Sequence, residues 1–285
     1  MFLIFLIIYL LTVLGNLIIV TVICMNPELH SPMYFFICNL SFLDIAYSSV
    51  TQPKLLSIFI TGPSAISFPA CIAQLYVFMS LACTEFVSLT AMAYDRYVAI
   101  CKPLHYMVLM KRTVCLQLAI ICWVVGFLDP LAHTVVISRL PFCKPPVLNH
   151  FYCDLSQLLS LSCEDKLFIE IMTYLVGSAV ALPAFLLTLV SYVFIISTIL
   201  NISSSSGRHK AFSTCTSHLT VVTLFYGTVL VMHMRPSSQN LLKQDKPLSV
   251  LYTAVTPMMN PLIYSFRNKD VKKALRKLTS KKKYV

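Results

Sequence analysis

The run Met92-Ala93-Tyr94-Asp95-Arg96-Tyr97-Val98-Ala99-Ile100-Cys101 carries the most concentrated chemistry in the chain, and Lys102-Pro103-Leu104-His105-Tyr106 follows it at once. An acid–base pair at the end of a long apolar stretch is expensive unless it faces water or a partner. In the simplest reading, Asp95 and Arg96 form an adjacent surface ion pair worth little. In the sharper one they form a lock at a bistable interface on the cytoplasmic side. Asp44, Glu85 and Asp129 also fall inside apolar stretches, as do Asn16 and Asn260. Asp44 and Glu85 lie about halfway along theirs and share a depth, where two acids could share a proton or hold a cation. The alternative is a hydrogen-bonded core network. Asp129, just before Pro130, is nearer an outer end, where solvation would suffice. No nucleophile–base pair or Gly-rich phosphate loop occurs, which argues against an enzyme.

These groups must be positioned by a membrane protein. Of 285 residues, 58% are hydrophobic and only 12% charged, with a mean hydropathy of +0.79; soluble domains are nearer a quarter charged. The net charge of +11 could suggest nucleic acid. The basic residues instead gather in short loops and a C-terminal tail beside apolar spans, as at a cytoplasmic membrane face. Nucleic-acid binding is therefore not expected.

Stretches of about 20 apolar residues read as membrane helices. The chain shows seven: Phe2–Cys24, Met33–Phe59, Cys71–Tyr94, Val114–Ile137, Leu167–Leu200, Ala211–His233 and Leu248–Phe266. The first lacks the basic start and cleavage site of a secretory signal. An odd number puts the termini on opposite sides. The C-terminal side holds 15 basic residues and the other seven, so the positive-inside rule sets the C-terminus in the cytoplasm and the N-terminus outside. Cys71, Cys143, Cys153 and Cys163 then fall on the outer, oxidising side, where disulfides persist. Four cysteines allow three pairings. With no tight C-x-x-C pair, a Zn site is the weaker reading.

Cys71 and Arg96 are 25 residues apart, about 37 Å along one helix, so the third span has a cysteine at its outer end and Asp95-Arg96 at its inner end. In the seventh, Pro257 and Pro261 kink the helix beside Asn260 and Tyr264, which suits a hinge. Beyond it, Phe266, Val271, Leu275 and Leu278 recur among lysines, a pattern for an amphipathic helix on the inner membrane surface. The chain reads as one domain, 1–285, with residues 267–285 forming this cytoplasmic helix and a basic tail.

Together these motifs resemble the odorant receptors of the tetrapod-type (class II) branch, within the rhodopsin-like G-protein-coupled receptors. The match rests on Gly15-Asn16, Leu29-His30-Ser31-Pro32-Met33-Tyr34-Phe35-Phe36, Asn39-Leu40-Ser41-Phe42-Leu43-Asp44, Met92 to Tyr106, His150-Phe151-Tyr152-Cys153-Asp154, Lys210-Ala211-Phe212-Ser213-Thr214-Cys215-Thr216-Ser217-His218-Leu219 and Pro257 to Asn268. The resemblance implies a seven-helix bundle and disulfides Cys71–Cys153 and Cys143–Cys163. It implies an odorant pocket in the outer half, holding Phe78, Met79, Ala82, Cys83, Tyr226, Val229 and His233. Asp95, Arg96 and Tyr97, with Tyr192, His218, Asn260, Pro261 and Tyr264, are implied as the switch that meets a stimulatory, olfactory-type G protein when the sixth span swings out, raising cAMP. Asp44, Glu85 and Asn260 correspond to a mid-membrane sodium site. Partners are a small volatile odorant, that G protein and membrane lipid, at the plasma membrane.

Family members usually carry an outer tail with an N-x-[ST] glycosylation site. Here Asn39-Leu40-Ser41 and Asn201-Ile202-Ser203 fall in a span or on the inner side. The expectation is that such a tail is missing, and either that the sequence is a fragment or incomplete gene model, or that efficient surface trafficking is in question. Two other functions are weighed. A proton- or cation-coupled transporter using Asp44, Glu85 and Asp129 would favour inverted repeats, and the halves show no similarity. A retinal-binding opsin needs a lysine within the seventh span, whereas Lys246 and Lys269 lie at its edges. An amine receptor would want an acid where Phe78 stands. The apolar, aromatic and sulfur-bearing pocket set suits small, largely neutral ligands.

Overall fold

The computed structural model describes residues 1–62, 65–143, 147–148, 150–163, 166–233 and 250–281. Among them the chain is helical, with one isolated antiparallel bridge between Phe142 and Ser162. The long helices are α1 (Phe2–Met25), α2 (Pro32–Thr61), α3 (Phe68–Cys101), α4 (Arg112–Ser138), α5 (Lys166–Leu200) and α6 (Ser205–His233). A π-helical turn, Leu251–Val255, leads into α7 (Thr256–Arg267), and α8 (Lys269–Lys281) follows. Short helical turns Pro27–Leu29 and Pro103–His105 mark the side called inner here; Leu155–Leu161 lies on the outer side with the disulfides. Among the described residues, α1 to α4 and Ile171–Leu200 of α5 are long and apolar enough to cross a membrane.

The side chains are sorted as in a bilayer. On α1, Leu3, Ile4, Ile7, Leu10 and Leu14 point outward, while Thr12 and Asn16 are only 1% exposed. Ser41, Asp44, Ser48 and Gln52 of α2 are buried, as are Ser80, Thr84 and Glu85 of α3. Lipid is as apolar as leucine, so polar groups are driven to the bundle interior, where they find partners. α3 is the axis of the assembly and packs against α2, α4 and α5 most extensively, while α1 lies against α2 and α7.

Kinked helices are stitched by their neighbours. Pro261 removes the N–H that would have bonded the Pro257 carbonyl, and Asn16 Nδ2 of α1 donates to that oxygen at 3.5 Å. In the turns opened by Pro53 and Pro130, Gln74 Nε2 donates to the Val50 carbonyl at 2.7 Å, and Tyr76 Oη to that of Phe127 at 2.9 Å. Proline is tolerated in such helices because side chains satisfy the freed backbone in this way. Gln74 also accepts the Cys153 N–H through Oε1 at 3.1 Å, so α3 holds the outer loop as well as α2.

α3 and α4 touch at Gly126, where an added Cβ would lie 2.8 Å from Thr84 Cα. Backbone cannot yield as a flexible side chain can. Gly126→Leu is expected to destabilise the bundle by about 1–3 kcal/mol or more, seen as a lower melting midpoint of the detergent-solubilised protein. An unchanged midpoint would show that the helices do not need this approach.

The helix edges run past those expected from hydropathy. α3 continues to Cys101, so Asp95 and Arg96 lie inside a helix rather than at its end. α8 turns back beneath the bundle: Asn268 Oδ1 caps it by accepting from Asp270 N and Val271 N at 3.0 and 3.2 Å. Tyr34 Oη donates to Asn268 Oδ1 at 3.1 Å and to Asp270 Oδ2 at 3.2 Å. Val271 and Ala274 are buried, and Lys277 Nζ pairs with Glu28 Oε1 at 2.9 Å. That bond, with the Lys273 charge, holds the exposed Glu28 carboxyl below the usual carboxylate range.

Candidate functional site

Three layers of chemistry are strung along α3. The outer layer is aromatic. Phe78 lies 4.9 Å from both the Tyr47 and Tyr152 rings and 6.3 Å from Tyr252. Tyr252 also approaches Phe225, at 6.1 Å, and Phe225 meets Phe86 at 4.8 Å. Tyr226 is packed by Phe86 at 5.6 Å and Phe185 at 5.1 Å. The rings thus form a continuous chain from the outer loop to α6. Ala82 and Val229 pack against the same main core, whereas Met79 leans into a separate outer cluster around Cys71, Leu75 and Ile137. Cys83 donates its thiol to Asp129 Oδ2 at 3.7 Å. His233 is the last residue of α6; its side chain lies outside the described residues. A groove of about 640 Å³ on α6, lined by Thr216, Leu219, Thr220, Thr223, Leu224, Gly227 and Thr228, includes none of the pocket candidates.

The outer layer is covered by the loop after α4. Cys71 is bonded to Cys153 with Cα atoms 5.4 Å apart, and Cys143 to Cys163 at 5.6 Å; these are the pairings the resemblance implies. Asp154 Oδ1 caps the short Leu155–Leu161 helix by accepting from Ser156 N at 2.9 Å. Tyr152 is thereby held beside Cys153 and over Phe78.

The middle layer is acidic. Asn260 Nδ2 of α7 donates to both Asp44 oxygens, at 2.9 and 3.1 Å. Glu85 is close enough for its charge to act on Asp44. Glu85 Oε1, Asn260 Oδ1 and Asn16 Oδ1 are buried and accept no hydrogen bond among the described residues. Buried oxygens left without donors call for a water or a cation, and hard cations take oxygen ligands. The donor set therefore fits a small hard cation.

At the inner layer Asp95 is fully buried and Arg96 6% exposed. Arg96 Nε donates to Asp95 Oδ2 at 2.9 Å, and its Nη2 joins the same oxygen. Tyr106 Oη donates to Asp95 Oδ1 at 2.9 Å. Burial, and then the Asp95 carboxylate, push the Tyr106 hydroxyl up from its ordinary value, so it remains a donor at neutral pH. This is a buried ion pair with both carboxylate oxygens engaged, and its character differs from that of an exposed one. Tyr192 Oη and His218 Nδ1 are 2.6 Å apart across α5 and α6. Both lie within electrostatic reach of Arg96, as does Tyr264. The Tyr264 hydroxyl is buried with no hydrogen-bond partner among the described residues. Tyr97 packs on Phe194 at 6.0 Å, with Lys102 Nζ 5.8 Å from its ring. Pro261 stands against Gly15, where an added Cβ would come within 3.2 Å.

Several residues here escape reasoning from the sequence. Tyr47, Phe86, Tyr152, Phe185, Phe225 and Tyr252 complete the aromatic chain, and ordinary core aromatics look the same in a sequence. Tyr106 had a signal, since it sits at the end of the run that opens at Met92. Beside it, Leu104 is 93% and Met107 80% exposed on the inner loop, apolar surface available to lipid or a partner.

Comparison with known proteins follows the same outline. A family model described as "Olfactory receptor" matches residues 5–282. Human Olfactory receptor 11L1 is 50% identical over 282 residues, covering 99% of this chain and 88% of that protein. Mouse Olfactory receptor 5AR1 is 48% identical over 281 residues, covering 99% and 91%. Human Olfactory receptor 6N1 is 47% identical over 277 residues, covering 97% and 89%. A match to the family model across nearly the whole chain, with half the residues identical in such a relative, leaves one conclusion: the chain belongs to the olfactory receptor family.

Proposed function

We propose that this receptor binds a small volatile odorant in the outer aromatic chamber and activates a stimulatory, olfactory-type G protein, raising cAMP. It is a multi-pass plasma-membrane receptor and not an enzyme, and membership of the family lends no support to a transporter. In this reading seven helices cross the bilayer, α1 to α7, with the N-terminus outside and α8 and the basic tail in the cytoplasm on the lipid surface. Residues 1–285 act as one receptor domain.

One observation supports the reading: a single helix, α3, carries Phe78 of the aromatic cluster in its outer half and the buried Asp95–Arg96 pair in its inner half. The two are 18 residues apart, about 27 Å. An odorant against Phe78, Ala82, Cys83, Tyr226 and Val229 that fits the active arrangement better shifts an existing equilibrium towards it. Met79 and His233 would complete the pocket rim. Opening of α6 parts His218 from Tyr192 and frees Arg96 for the G protein, with Tyr97, Tyr264 and the Asn260–Pro261 hinge following. Leu104 and Met107 offer an apolar anchor for the same partner. Asp44, Glu85 and Asn260 would hold a sodium ion that favours the closed arrangement by bridging α2, α3 and α7.

The test is a cAMP reporter in cells expressing the chain with an N-terminal trafficking tag, challenged with a broad odorant panel. A dose-dependent response to some member is expected. Silence across the panel, with surface staining positive, would overturn the reading.

A further inference from the structure

We infer that Asp129 and Cys83 form the polar anchor of the chamber, and that the ligands it selects carry a hydrogen-bond donor, a hydroxyl or an ammonium, on an apolar body. The inference rests on the receptor reading above and names the ligand class for that site.

Asp129 lies just before Pro130, and from the sequence it belonged with the solvated residues near a helix end. It is instead half-buried and turned onto α3. The approach at Gly126, one turn earlier, brings the backbones close enough for a short carboxylate to reach Cys83 at 3.7 Å. Cys83 also lies within electrostatic reach of Tyr252, whose ring is 5.5 Å from Tyr47 and 6.3 Å from Phe78.

Asp129 is under-used as an acceptor. A carboxylate offers about four lone-pair sites and a thiol is a weak donor. That thiol is its one side-chain partner among the described residues. No cation neutralises it from the neighbouring helices: α3 has no Lys or Arg before Arg96, α4 none after Arg112 and α5 none after Lys166. His133, one turn further out, is engaged by Thr173 with Nε2 and Oγ1 2.7 Å apart. The other acids of the neighbouring helices differ: Asp44 on α2 is held by Asn260, Asp95 on α3 by Arg96 and Tyr106, and Glu85, which also has an unpartnered oxygen, lies two residues deeper on α3 than Cys83, in the acidic middle layer. Among the described residues Asp129 is thus an acid in the outer half of the helices with acceptor capacity to spare, joined through Cys83 to the ring cluster, whose faces suit an ammonium or the carbon body of an alcohol. A ligand without a donor would cover this acceptor and leave it unpaired, which binding sites reject strongly.

The full chain, tagged and expressed with a cAMP reporter, should be challenged with a range of carbon skeletons, each presented as primary amine, alcohol, methyl ether and hydrocarbon. Phenethylamine, phenethyl alcohol, phenethyl methyl ether and ethylbenzene form one such set, and octylamine, octanol, octyl methyl ether and octane another. Agonists are expected among the donor forms, and whether amine or alcohol leads identifies the donor. Agonists confined to the ethers and hydrocarbons would overturn the anchor while leaving the receptor reading standing; silence with surface expression confirmed would overturn both. Asp129→Asn should lower amine potency about 10- to 100-fold relative to the matched ether, and Asp129→Leu should do so for amine and alcohol alike. A potency ratio unmoved in variants that reach the surface would remove Asp129 from the site.

Discussion

Arg96→Ala should abolish odorant-driven cAMP while leaving most of the receptor at the cell surface. The guanidinium is the group whose exposure changes most in the proposed opening, since it is 6% exposed while bonded to Asp95. If the freed guanidinium makes a buried charged contact with the G protein, truncating it costs about 2–5 kcal/mol of that contact, at least about 30-fold in coupling. Folding should survive because Asp95 keeps the Tyr106 hydroxyl at 2.9 Å. Dose–response curves beside flow-cytometric surface staining make the measurement. Normal signalling in the variant would sink the role assigned to Arg96.

The second large effect is expected at the outer end. Cys71→Ser and Cys153→Ser should each remove most surface receptor and odorant response, and the double variant should be no worse than either alone, because both delete the same bond. The bond closes a segment of 82 residues, for which the chain-entropy model gives about 4.5 kcal/mol. Inserted helices are already constrained, so this is an upper value. The functional cost exceeds the entropic one: Cys153 positions Tyr152 against Phe78 and donates its N–H to Gln74 Oε1. Removing Cys143–Cys163, which closes only 20 residues within the outer loop, should be milder. Full surface level and potency in Cys71→Ser would show that the loop is held by packing alone.

Much of the architecture is legible because the bilayer is a stringent solvent. Apolar length marks the spans, and the run of apolar residues brackets α1 within a residue of Met25. Legibility fails where an edge is set by pairing instead of hydropathy. α3 runs on through Asp95 and Arg96 because the two charges satisfy each other and Tyr106 inside the bundle, and no hydropathy window registers that. The Cys83 contact of Asp129 was hidden for a related reason. Proximity to a helix end suggested water, but whether a carboxylate meets water or Cys83 depends on the rotation of α4 and its closeness to α3 at Gly126.

The amino-acid sequence by itself determined a helical membrane protein, because span lengths and intramembrane acids are local properties of the chain; the odorant-receptor type came from the resemblance of its motifs. The cysteine pairing came from resemblance, since four outer cysteines alone leave three choices. Only the tertiary structure decided which aromatic rings join into one chain, which partner Asp129 meets, and which carbonyls near the prolines are reached by Asn16, Gln74 and Tyr76. Those outcomes depend on distances between residues tens or hundreds of positions apart, set by how helices of fixed pattern rotate and approach.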